Sequence, residues 1–351
     1  MATAEQRRQA REASLVYHAA LVAYGIQTVA ESYDLWEDVQ PVPSTVQSSG
    51  VRWLDRMLGT VTFRAARARS LALSYYRYHR ALLTGSTLVY DAGPTADGEE
   101  PAPSRSLAAL REDFYGEVEG LAPDILTDDR RLVNADGEIT TDPPPEGDEV
   151  ITLDDDVDID EIIADIARRI EEEAEAQLLS TGLLNLEALI REVDDSLPAS
   201  EVDKIREEAH AQAGARQSAA AERVVLAGAR DTVSELTNAD SKVIGYVRVS
   251  STGTPCGWCA MLISRGAVYR SKEAASVVTN RGRGRRVEGQ TFHDNCKCTV
   301  EPLYDTEQYD EDDRFDLNRE LQAEWPRRTG GSSGKAALTK WRKYIRQRNA
   351  A

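Results

Sequence analysis

Val243-Ile244-Gly245-Tyr246-Val247-Arg248-Val249, then Ser251-Thr252-Gly253-Thr254-Pro255, then Cys256-Gly257-Trp258-Cys259: this stretch is where the chain changes character. Upstream, apolar residues recur at three- and four-residue steps, which is helical periodicity; here β-branched residues crowd into a strand and a Gly/Pro turn delivers a Cys-x-x-Cys. The spacing then predicts a short helix from Cys259 to Ser264, ended by Gly266, a second strand at Ala267 to Arg270 and a third at Cys298-Thr299-Val300. The fold class that follows is mainly α, with a helical hairpin, a helical middle region and a small C-terminal Cys/His-rich α+β module at 241–305.

All four cysteines of the 351 residues lie in that module: Cys256 and Cys259, then Cys296 and Cys298 beside His293. Two pairs of soft ligands from separate stretches can close on one tetrahedral Zn²⁺, and Cys-x-x-Cys lets two thiolates reach one ion from a tight turn. Five donors compete for four positions, so the expected site is a structural Zn²⁺ held by four of Cys256, Cys259, His293, Cys296 and Cys298. Disulfides formed after release from the cell, or thiols with another role, are the alternatives. A thioredoxin-like redox site needs a βαβ frame that the segment lacks. A thiol protease would take Cys256 or Cys259 as nucleophile and His293 as base, but the residues around the pair do not match a papain-type signature. No catalytic constellation is therefore assigned, and His18, His79 and His210, inside helical runs, read as packing or surface residues.

Working outward, apolar positions at Leu15, Ala19, Val22, Ile26, Val29 and Tyr33 predict one helix. Leu54, Met57, Leu58, Val61, Ala65, Ala68, Ala72 and Tyr75 predict another, beyond a break at Pro41-Val42-Pro43-Ser44. Together they form a hairpin over 1–84. Helical periodicity returns over 159–240, first at Ile162, Ile163, Ile166 and Ile170, later in an Ala-rich helix opened by Ser200. Between them, residues 85–158 read as an acidic loop or linker with one short helix at Leu107 to Val118.

The net charge of −18 is local. Between Asp91 and Asp165 stand 24 acidic residues against Arg105, Arg111, Arg130 and Arg131, so the rest of the chain is close to neutral. Two runs are basic: Arg281, Arg283, Arg285 and Arg286 in a Gly-spaced loop, and a tail, within 306–351, carrying Lys340, Arg342, Lys343, Arg346 and Arg348. Both suit contacts to the phosphates of double-stranded DNA without sequence preference, a solvated charge run being the plainer account. No run of about 18 residues lacks polar groups, so no membrane partner is expected. The first twelve residues carry no signal-like pattern, and a cytosol with reduced or metal-bound thiols is expected.

The order strand, Thr-Pro-Cys-x-x-Cys-x-x-Leu-Ile-x-x-Gly (residues 254–266), variable loop, His-x-x-Cys-x-Cys-x-Val-x-Pro (residues 293–302) resembles the Mu protein F-like (MuF-like) head-morphogenesis family of tailed bacteriophages, especially its actinobacteriophage branch. Lys297 stands where that family typically has Arg, and the interval between the halves is long. The resemblance covers about 240–305. It implies a minor capsid protein, located in the virion inside the head near the portal and in the host cytoplasm during assembly. Its implied partners are the portal protein and the major capsid or scaffold protein, and related proteins are implicated in DNA packaging or ejection. Many members are labelled capsid maturation proteases, which makes cleavage of coat or scaffold protein during prohead maturation the alternative function.

Overall fold

The computed structural model describes residues 2–90, 104–126, 132, 149–194, 196–269, 296 and 298–350. His293, Arg281, Arg283, Arg285 and Arg286 lie outside the described residues.

Three long helices form the body: α1 (Ala4–Trp36), α2 (Val46–Thr84) and α6 (Ala199–Ala239). α1 starts at a capping box in which Thr3 accepts from the Gln6 amide and Gln6 reaches back to Thr3, satisfying two orphan donors. At the hairpin end Trp36 and Trp53 meet edge to face at 4.7 Å, and Trp36 Nε1 donates to the His210 carbonyl at 3.0 Å, pinning all three helices.

The buried face of α2 is the one its periodicity predicts, from Met57 through Val61, Ala65, Ala68 and Ala72 to Tyr75. That of α1 is not. Ile26 and Tyr33 are exposed, whereas Ala13, Tyr17, Ala20, Leu21, Tyr24, Thr28 and Ser32 are buried. The physical reason is close packing against α6, which selects small residues and pairs their hydroxyls: Ser32 Oγ donates to Gln217 Oε1 at 2.7 Å. α2 and α6 also approach closely, since a Cβ on Gly228 would stand 2.4 Å from the Ala65 carbonyl oxygen. Among the described residues α1 is the helix long and apolar enough to cross a membrane by length and composition alone, and half of its most apolar window is buried against its neighbours.

α4 (Ile159–Leu178) continues through one wide π turn at Leu179–Leu183 into α5 (Leu184–Arg191) and lies on α2 and α6. The π turn brings Gly182 under the Trp53 ring, where a Cβ would come within 2.6 Å.

The segment read as an acidic loop contributes structure where it is described. β1 (Ser86–Leu88), β2 (Ser104–Ser106) and β3 (Val150–Asp154) form a sheet of order β1-β3-β2, and α3 (Leu107–Leu121) follows β2. Local composition hid this because the strands are three to five residues long and pair across long separations. The sheet is fastened by Arg80, whose guanidinium donates to Asp240 at 2.7 and 3.1 Å and lies 2.8 Å from Asp154. Despite a desolvation that pushes it up, Asp154 is held at about 2 by hydrogen bonds from Lys242, Ser86 and Arg80.

The C-terminal module has β4 (Gly245–Ser250) flanked antiparallel by β5 (Val268–Tyr269) and β6 (Cys298–Leu303), with α7 (Gly257–Ile263) after β4. The tail is not separate from it. α8 (Thr306–Glu311), a 3₁₀ turn, α9 (Asp316–Thr329) and α10 (Gly334–Arg348) fold back, and Leu321, Trp341 and Ile345 share one core with Cys259, Ala260, Ile263, Cys296, Cys298 and Val300. A sheet this small cannot cover its own apolar face, and Trp341, tilted against Trp325 at 4.9 Å, supplies the missing volume.

Candidate metal centre

Strand periodicity sorts the module's residues onto two faces. Register pairs Arg248 with Val300 and Ser250 with Cys298 on one face, and Val247 with Glu301 and Val249 with Thr299 on the other. The first face meets α7 and holds the cysteines. The second meets the helical body.

On the first face, Cys259, Cys296 and Cys298 are buried with their sulfurs within 4.8 Å of one another. Cys259 and Cys296 Sγ are 3.4 Å apart, much longer than the ~2.05 Å of a disulfide. Four sulfurs each about 2.3 Å from a zinc ion stand roughly 3.8 Å from one another, so the spacing suits a metal-thiolate centre. Cys256, more exposed, is the N-cap of α7, its sulfur accepting the Cys259 amide at 3.4 Å. The Cys259 thiol is pushed up by hydrogen bonding with Cys256, then with Cys296 and Cys298, and by burial. Cys296 is held well below the thiol range by Cys259 and Cys298, against burial, with the charges of Arg248 and Arg230 adding to the effect. The surroundings therefore favour a thiolate at Cys296, the form that binds metal, while Cys259 and Cys298 are pushed up.

Thus three of the four sequence-predicted cysteines come together, Cys256 stands against Cys259 at the α7 cap, and His293 lies outside the described residues. Sequence reasoning missed two buried arginines. Arg248 Nη2 lies 3.6 Å from Cys296 Sγ and 3.8 Å from Cys259 Sγ, and Arg230 of α6 donates through Nη2 to the Cys296 carbonyl. Their signal was faint: Arg248 interrupts a run of β-branched residues, and Arg230 sits in the Ala/Val-rich part of α6.

On the second face, Glu301 accepts from Tyr75 at 2.6 Å and from Ser14 at 3.1 Å, and Thr299 Oγ1 is 2.7 Å from His18 Nε2. Although hydroxyl, imidazole and carboxylate meet there, Thr299 and Glu301 both address Nε2 of His18, whereas a proton relay needs the two ring nitrogens to face different partners. The residues are also buried. This junction joins module to body.

Of the nucleic-acid candidates, Lys340, Arg342, Lys343 and Arg346 are exposed along α10. Arg348 is instead committed to Glu320, at 3.0 and 3.1 Å, and to the Gly253 carbonyl at 3.3 Å.

Residues 185–323 match the model of a family described as VG15 protein. That segment contains α6, both buried arginines and all four cysteines. The Gene 15 protein of Mycobacterium phage D29 is 30% identical over 105 aligned residues, covering 24% of this chain and 38% of that protein. The alignment thus takes in well under half of the curated relative's length, and no solved structure matches. Over α6 and the cysteine module, the chain is similar to a bacteriophage protein family.

Proposed function

We propose that the protein is a minor capsid protein of a tailed bacteriophage, of the MuF-like kind, acting in head morphogenesis at or near the portal. The observation that carries this reading is the coincidence of the family match with the cysteine centre: the matched segment holds the small sheet, α7 and the cysteines, and a curated relative is a phage protein. The work is association. A structural Zn²⁺ closes the thiols and makes a rigid knob of a sheet too small to stand alone, the helical body docks on portal or coat, and the exposed cations of α10 lie against packaged DNA.

The test is co-expression with the portal, coat and scaffold proteins of the same phage. Co-purification with portal or proheads, and empty or misassembled heads when the gene is deleted, are the expected results. Recovery of the protein apart from every head component, with normal heads formed in its absence, would refute the proposal. Coat or scaffold cleavage that disappears in Cys256→Ser would favour a maturation protease instead.

A further inference from the structure

Two buried arginines flank the thiols, and the α7 cap holds a fourth sulfur beside Cys259. We propose that Cys256 is the fourth metal ligand, giving a four-thiolate site, and that Arg230 and Arg248 are its built-in counter-charges. The inference rests on the reading that the centre holds zinc, and goes beyond it by fixing the ligand set and the residues that offset its charge.

The argument begins with charge. A guanidinium stays protonated in a protein, so Arg230 and Arg248 bring two positive charges into the interior at 4% and 1% exposure. Buried charge is tolerated where an opposite charge meets it. Arg248 Nη2 lies 3.6 Å from Cys296 Sγ and 3.8 Å from Cys259 Sγ, and Arg230 reaches the Cys296 carbonyl from α6. Zinc with four thiolates carries a net charge of minus two, and the two guanidiniums stand where they offset it.

Geometry points the same way. Cys256 is held beside Cys259 by the α7 cap, and its loop is clamped from outside by the C-terminal helix: Asn349 Nδ2 donates to the Pro255 carbonyl at 2.9 Å, and Arg348 holds the Gly253 carbonyl. The fourth thiol is thus positioned by α10 while the other three come from α7, the start of β6 and Cys296 ahead of it. Arg230 enters from the helical body, so metal occupancy is also tied to the docking of module on body.

The experiment uses the full-length zinc-loaded protein and X-ray absorption at the zinc edge. Four sulfurs at about 2.3 Å are expected, unchanged in His293→Ala; in Cys256→Ser one sulfur should be replaced by a lighter atom at about 2.0 Å. Arg248→Met and Arg230→Met should lower zinc affinity at least tenfold in competition with a chromophoric chelator, Arg248→Lys recovering most of it. In the metal-stripped protein the two Met variants should unfold at the same denaturant concentration as the parent or a higher one, because a buried cation is then removed. A merely structural arginine would instead destabilise both forms. A shell of three sulfurs and one nitrogen that loses the nitrogen in His293→Ala would overturn the four-thiolate site and leave zinc binding standing. Met variants with parental zinc affinity would overturn the counter-charge role, and a protein that takes up no zinc would overturn both this proposal and the reading beneath it.

Discussion

His18 Nε2 lies 2.8 Å from Glu301 Oε1, one residue on the first helix and the other on the last strand. Because strand side chains alternate, Glu301 faces away from the cysteines next to it in sequence and into the helical body. Desolvation pushes its pKa up, but the His18 hydrogen bond, the charges of His18 and Arg314 and the nearby His79 outweigh it, and the group is held well below the carboxylate range. Removing the carboxylate deletes the ion pair with Arg314, 3.8 Å away, and the contacts from His18, Tyr75 and Ser14, although Arg314 keeps Asp312, His18 keeps Thr299, and Ser14 and Tyr75 keep each other. Glu301→Ala should therefore cost about 2–4 kcal/mol, between the loss of a hydrogen bond to a charged group and a fully broken buried ion pair. Glu301→Gln should cost about 1–3 kcal/mol. Both should leave zinc content unchanged, since the metal face is untouched. Denaturation midpoints alongside metal analysis check this; a loss below about 1 kcal/mol for the Ala variant would contradict the junction's role.

His79 sets an acid limit on stability. Its ring is fully buried, neither nitrogen has a hydrogen-bond partner among the described residues, and desolvation lowers its pKa from 6.5 to about 4. The unfolded chain binds this proton more readily than the folded one, so stability rises with pH across that interval. The contribution is complete above about pH 6.5 and declines as pH falls toward 4, by up to ~1.4 kcal/mol per unit. Asp231, raised to about 7 by desolvation, acts in the opposite direction, so the readout is the difference between parent and His79→Leu. Unfolding free energies from pH 7.5 to 4.5 should fall less steeply for the variant; parallel curves would refute the assignment.

How much of this was legible depended on whether a feature is local. The buried face of α2 could be read because Met57, Val61, Ala65, Ala68 and Ala72 are all apolar at helical steps. That of α1 could not, because Ser14 and Ser32 are buried through partners on other elements and Thr28 by bonding back to the Tyr24 carbonyl, and polar residues at those steps read as solvent-facing. The cysteines announced a centre by type and spacing alone. Arg230 and Arg248 did not, since an arginine in a helix or strand ordinarily marks the surface. Nor did the tail's contribution, since Trp341 reaches the Cys259 core only through a fold-back that no local pattern encodes.

Gly228 tests the closest approach in the body. Alanine is favoured over glycine in a helix by about 1 kcal/mol, so propensity alone predicts that Gly228→Ala stabilises. The added Cβ, however, would stand 2.4 Å from a backbone oxygen that cannot rotate away. Overpacking of this kind costs typically 1–3 kcal/mol, and the backbone contact places the cost at the upper part of that range. The net expectation is destabilisation by about 1–2 kcal/mol. Thermal melting of Gly228→Ala against Gly59→Ala, which has open space around its Cβ, separates the terms: the first should melt lower than the parent, the second should not.

The basic face of α10 makes a quantitative statement about DNA. Lys340, Arg342, Lys343 and Arg346 are exposed, whereas Arg348 is held by Glu320. Each cation that neutralises a phosphate contributes about 0.9 to the slope of log affinity against log salt. Replacing Lys340, Lys343 and Arg346 together by Ala should lower that slope by up to about 2.7 on any duplex sequence and weaken binding most at low salt. Arg342 is left in place because its side chain packs over Gly257 beside Cys256, and its removal would disturb the centre as well. Arg348→Ala is the control: it should loosen the Gly253 loop and lower the melting temperature while leaving the slope unchanged. A triple variant that binds random-sequence duplex with the parental slope would remove α10 as a DNA surface, and with it the reason for placing this face against the packaged genome.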